Sequence, residues 1–147
     1  MRRSITTLLC LLLATLWLSL ANATQAISFE FKVIVHPDNP ISSVSRAFLR
    51  GAYLKQVRDW RKGLPVQPID LSKRFPARDA VAAQVLQKSP AQLRSFWIQR
   101  IFSGTGMPPP ELDSPAAVIA SVLAQPGAVA YLPSNVDPGR AKVIKLE

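Results

Sequence analysis

The chain has 147 residues, a formal charge of +9, one histidine and one cysteine. That length suits a single domain behind a short leader, and a lone cysteine excludes a disulfide framework or a thiolate metal site. The lysines and arginines are spread from Lys32 to Lys145 without a block of five or six, which points to anionic partners in general and away from a nucleic-acid arm.

Met1-Arg2-Arg3 is a short basic head, Leu8 to Leu20 is almost continuously apolar, and Ala21-Asn22-Ala23 has the small-x-small form of a cleavage site. Residues 1–23 therefore read as a secretory signal peptide that carries Cys10 away, leaving a mature domain of residues 24–147 in the periplasm. No stable membrane insertion is expected once it is removed. The formal charge falls to +7 because only Arg2 and Arg3 leave with the leader.

Phe29 to His36 alternates and then turns continuously apolar, as expected of a strand running from an edge inward. His36-Pro37-Asp38-Asn39-Pro40 is a turn. The serines that follow predict a helix beginning near Ser43 and ending near Val57 or Trp60, with Val44, Ala47, Phe48, Gly51 and Ala52 inward and Arg46 and Arg50 on the wetter side. Val66 to Leu71 reads as a short second strand, placed near an edge by Pro65 and Pro68.

Pro76 opens a helix predicted to run to about Gln87. Ser89 caps a further helix started by Pro90, whose stripe of Leu93, Phe96, Trp97, Ile101 and Phe102 is expected in the core. Ser103 to Leu112 is a glycine- and proline-rich surface loop. Ser114-Pro115 repeats the cap-and-proline start of a helix ended by Pro126-Gly127, and strands follow at Ala128–Leu132 and Ala141–Leu146. Strands alternating with helices predict an α/β domain with a mixed or mostly parallel sheet flanked by helices.

For chemistry, Ser42, Ser43 and Ser45 at a helix start, with Arg46 beside them, serve either as caps or as an oxyanion site. Arg78 lies in the first turn of its helix, where a cation opposes the dipole, and so marks a second candidate, although Asp79 beside it offsets that cost. His36 stands at a strand end, and Gly104-Thr105-Gly106 follows a helix instead of opening one as a phosphate-cradling loop would. Asp38, Asp59, Asp70 and His36 share no spacing that would pair an acid with a base, so no enzyme is expected. No cofactor is called for.

Several segments in order and spacing carry a resemblance: Asn39-Pro40 before the serines, Ser45-Arg46-x-x-Leu49-x-x-x-Tyr53-Leu54, Trp60-x-x-Gly63-x-x-Val66-x-Pro68, Pro76-Ala77-Arg78, Ser89-Pro90, Trp97, Ile101 to Gly104, and Pro126 to Tyr131. The chain resembles the small exported proteins related to the phosphate-binding component of phosphate ABC transporters. The resemblance covers nearly all of residues 24–147. It implies a single lobe of the periplasmic binding protein type that binds phosphate or another small oxyanion for ABC transport, with Ser42, Ser43, Ser45, Arg46 and Arg78 as donors and a transporter permease as partner. Larger relatives hold phosphate between two lobes. The chain lacks their hydroxyl-rich glycine loop and keeps only the arginine of their Ser-Gly-Thr-Arg-like segment, which implies the alternative of an interaction module that has exchanged phosphate for an acidic periplasmic protein or envelope partner.

Overall fold

In the computed structural model, residues 31–60 and 63–147 are described. The leader and mature start read from the sequence, with Phe29, Glu30, Arg61 and Lys62, lie outside them. The first strand, β1 (Phe31–Val35), forms the centre of a five-stranded mixed sheet. Its Val33, Ile34 and Val35 are all buried because both sheet faces are covered, which is why the alternation of the sequence stops there.

β1 runs antiparallel to both neighbours, pairing Val33 with Tyr131 of β6 (Ala128–Pro133) on one side and with Ile144 of β7 (Lys142–Leu146) on the other. Outside β7 lies β2 (Ser43–Val44), parallel to it, and outside β6 lies β3 (Gln67–Pro68), also parallel, at the edge that Pro65 and Pro68 predict.

Helix α1 (Arg46–Tyr53) starts three residues later than expected, since Ser43 and Val44 are drawn into β2. Ser45 is the cap, its Oγ accepting the Phe48 N–H at 3.1 Å. We expect Ser45→Ala to lower the urea unfolding free energy by about 1 kcal/mol and Ser43→Ala, which removes no cap, by less than about 0.5 kcal/mol.

The helix also ends earlier than expected. Lys55 adopts a left-handed φ of 57°, and the N–H groups of Gln56 and Val57 both return to the Gly51 carbonyl, at 2.7 and 3.0 Å. A Cβ on Gly51 would meet Val57 Cγ2 at 2.7 Å, so glycine there lets the chain reverse. Trp60 is consequently not helical. It is buried, stacks on Phe48 with ring centroids 5.0 Å apart and donates to the Gly127 carbonyl at 2.9 Å.

The segment read as one second strand divides. Gln67–Pro68 joins the large sheet, whereas β4 (Asp70–Leu71) pairs in parallel with β5 (Glu111–Leu112) as a separate two-stranded ribbon. Helix α2 (Pro76–Val81) buries Ala77, Ala80 and Val81 and widens into a π-helical turn at Ala82–Leu86, closed by Gln87 at φ 53°. Arg50 of α1 donates to the Val85 carbonyl of that turn at 2.8 Å. Helix α4 (Pro115–Ala124), capped by Ser114, turns Val118 and Val122 into the core.

Helix α3 (Pro90–Phe102) has the expected start, a reciprocal capping box between Ser89 and Gln92 with Pro90 in the first turn. Its expected burial is overturned. No residue of α3 is buried: Leu93, Phe96 and Trp97 are half-covered, while Ile101 is 49% and Phe102 88% exposed. The core is filled by β1, β6, α1, α2 and α4, and α3 lies outside it.

Candidate functional site

Two concavities take up Ser42, Ser43, Ser45 and Arg78, and they are different places. Ser42, Ser43 and Ser45 line a shallow one of about 420 Å³ with Phe48, Trp60 and Glu147. Two of the first three N–H groups of α1 are already used there: Arg46 N–H donates to the Glu147 carbonyl at 2.8 Å, and Phe48 N–H to Ser45 Oγ. The Arg46 guanidinium reaches elsewhere, to the Gln84 carbonyl at 3.3 Å. His36 lines neither concavity and closes its own turn, its Nδ1 accepting the Asp38 N–H at 3.1 Å.

Arg78 faces the second concavity, about 400 Å³, between α2, the β4–β5 ribbon and the inner side of α3. The structure thus separates Arg78 from the three serines. The local origin of this site is the ribbon's register, which sets Asp70 directly opposite Glu111. Two carboxylates so placed repel each other, and Arg78, projecting from the first turn of α2, resolves the conflict. Its Nη2 lies 2.9 Å from Asp70 Oδ2, its Nη1 pairs with Glu111 Oε2, and it also donates to the Leu71 carbonyl at 3.4 Å. The cation that works against the α2 dipole is held by two side-chain anions.

Tyrosines complete the network. Tyr131, from the middle of β6, donates its hydroxyl to Asp70 Oδ1. Tyr53, at the end of α1, packs 5.9 Å from the Tyr131 ring and donates to the Ile69 carbonyl at 2.8 Å. Burial pushes the Asp70 carboxyl above its ordinary range, against the opposing pull of Arg78 and of the Tyr131 hydroxyl. Burial also works to lower Arg78, but Asp70 and Glu111 outweigh it and its pKa is raised. Tyr131 is raised by burial and then by the Asp70 charge, and Tyr53 by burial and then by Tyr131, so both remain protonated donors.

The arrangement holds charge in place. Neither tyrosine is poised to lose a proton and Arg78 is fixed as a cation, so the cluster orients groups and carries no activated nucleophile. Lys73 and Arg94 stand on the rim and, among the described residues, neither is ion-paired. Sequence reasoning reached Arg78 through its conflict with the helix dipole but missed Asp70 as its partner, Glu111, Tyr131, Lys73 and Arg94. The pairing of two strands of two residues each leaves no local pattern to read.

No protein-family model matches the chain, and no curated protein sequence does. Solved structures do match it. An ABC-type phosphate transport receptor from Vibrio cholerae superposes with a TM-score of 0.61 at 16% identity, over 79% of this chain and 45% of that one. PstS from Borrelia burgdorferi superposes with a TM-score of 0.58 at 10% identity, over 80% of this chain and 47% of that one. This chain spans less than half the length of either. Its described part has the α/β fold of a lobe-sized portion of phosphate-transport substrate-binding proteins.

Proposed function

We propose that the chain is an exported, non-enzymatic lobe of the solute-binding-protein type that serves as a periplasmic interaction module for an acidic partner, in place of capturing phosphate for ABC transport. The observation that supports this most directly is the condition of Arg78, whose guanidinium is taken up by Asp70, Glu111 and the Leu71 carbonyl. An incoming oxyanion would meet two carboxylates already seated on the only arginine of the predicted set that reaches this cavity. The serines offer no substitute, because they line a different concavity with Glu147 and Ser45 is engaged as a cap.

The chain spans less than half the length of the transport receptors it superposes on. Its positive balance would steer an acidic periplasmic protein or the acidic rim of a transporter permease, with association weakening as salt rises. Calorimetric and thermal-shift titration of the full chain with phosphate and sulfate is the test. No heat and no change in unfolding temperature are expected at millimolar ligand, because a ligand of the native state must raise its stability. Submillimolar phosphate binding that is lost in Arg78→Ala would refute the reading.

One observation favours a second reading, weak oxyanion binding: Lys73 and Arg94, on the rim of the Arg78 cavity, are not ion-paired among the described residues. Millimolar phosphate binding abolished by Lys73→Ala with Arg94→Ala, yet indifferent to alanine at Ser42, Ser43 and Ser45, would establish it over the first.

A further inference from the structure

Among the described residues the exposed large hydrophobic side chains are concentrated at one place. Ile98, Ile101 and Phe102 recur at the i, i+3, i+4 spacing of a single helical face at the end of α3, and Met107, 71% exposed, follows in the next loop. Val143 is the one such residue elsewhere. Isolated exposed leucines or isoleucines are ordinary, but a contiguous group on a helix end that its own domain leaves uncovered marks an interaction surface.

The charge of the segment that carries the group is one-sided. From Ala80 to Pro110 the sequence has Lys88, Arg94 and Arg100 and not one acidic residue. Lys88 Nζ and the Arg100 guanidinium both lie over the Phe96 ring, 5.8 and 5.4 Å from its centroid, so two of the three cations are held alongside the helix on its Phe96 side, across from the Ile98–Ile101–Phe102 face.

The end of the helix is also built, not frayed. Ser103 Oγ and Thr105 Oγ1 lie 2.8 Å apart, Thr105 N–H donates to the Arg100 carbonyl at 2.9 Å, and Arg100 Nη2 donates to the Thr105 carbonyl at 3.1 Å. The turn that follows Phe102 is thus tied back to α3.

We propose that this end of α3, with Ile98, Ile101, Phe102 and Met107 entering the surface and Lys88, Arg94 and Arg100 further back along the helix, docks reversibly on an anionic lipid bilayer. The proposal rests on the interaction-module reading and takes its acidic partner to be a lipid surface in place of a protein. Apolar side chains projecting from a helix end need no matching groove in a bilayer, and flanking cations gain from an anionic leaflet. A second copy is the poorer occupant, because a symmetric contact would bring together two acid-free segments bearing three cations each. Binding by a few inserted side chains is reversible and distinct from spanning: no helix among the described residues is long and apolar enough to cross a membrane.

The test is flotation of the full chain with phosphatidylglycerol–phosphatidylethanolamine vesicles and with pure phosphatidylcholine vesicles, for the wild type and for Phe102→Ser with Met107→Ser. Any contribution of residues 1–30 is common to both proteins. The wild type should partition onto the anionic vesicles, less so as salt rises, and the double variant should lose about tenfold of that partition while keeping its unfolding temperature. Equal partition of the two proteins, or equal binding to neutral vesicles, would overturn the proposal. So would a wild-type dimer that the double variant dissolves. Phosphate capture by the wild type would sink the interaction-module reading whatever the vesicles show, whereas vesicle binding unmoved by the substitutions would sink the α3 assignment alone.

Discussion

Gly127→Ala should leave little folded protein. A Cβ at this position would stand 1.9 Å from the Pro65 carbonyl oxygen, and that oxygen belongs to backbone that cannot swing aside. The loop carrying Pro65 is pinned by the Val66 N–H to the Arg58 carbonyl at 2.8 Å and by the Trp60 N–H to the Leu64 carbonyl at 2.7 Å. Gly127 in turn gives its own carbonyl to the Trp60 indole and to the Gln67 N–H, both at 2.9 Å. Relief of the clash would pull apart the edge of the sheet and the burial of Trp60 together. The expected loss is about 3 kcal/mol or more, read as the urea midpoint of whatever soluble protein is recovered. Gly139→Ala is the control: it meets no atom within 4 Å and gives up only its left-handed φ of 58°, for about 1 kcal/mol. A Gly127→Ala protein with the wild-type midpoint would show that Pro65 does not approach so closely.

Arg78→Ala should be the most damaging single change in the ionic cluster, by about 2 kcal/mol at neutral pH. That figure lies below the loss typical of a fully buried pair because the Arg78 side chain is 28% exposed. The variant leaves Asp70 facing Glu111 across the ribbon with no cation between them. Burial already raises the Asp70 pKa in the folded protein, and removal of Arg78 takes away the largest opposing influence. A carboxyl whose folded pKa exceeds its unfolded one contributes most stability below the unfolded value, near 3.9, and loses that contribution as pH rises through the folded value. The deficit of Arg78→Ala relative to wild type should therefore narrow as pH falls from 7 towards about 4. Chemical denaturation at the two ends of that range measures it. A deficit independent of pH would mean that Arg78 acts through packing alone.

The parts of this molecule that could be read from sequence are those whose chemistry is local. Ser89 and Ser114 cap the helices that Pro90 and Pro115 start, because a side-chain oxygen two or three residues before an N–H group needs nothing else to find it. Pro65 and Pro68 place β3 at an edge for an equally local reason, the missing N–H. The burial of α3 could not be read the same way. Periodicity tells which of Leu93, Phe96, Trp97, Ile101 and Phe102 share a face, but not whether any element comes to cover it. The candidate site was legible by half: Arg78 betrays itself against the dipole of its own helix, while Asp70 and Glu111 are joined only by the register of two very short strands. Ser43 shows the opposite failure, a good helix-start residue captured by a strand partner, Lys145, from the far end of the chain.

The position of β1 carries a consequence for the timing of folding. The central strand of the sheet is the first described element to be synthesised, yet its two partners are β6 and β7, about a hundred residues downstream. Until residues 128–146 are available, Val33, Ile34 and Val35 have no strand beside them, and closing so long a loop is slow relative to forming a local hairpin. The chain is thereby kept open for as long as its last strands are withheld. The order of strands in the sheet thus makes the appearance of residues 128–146 the event on which folding waits.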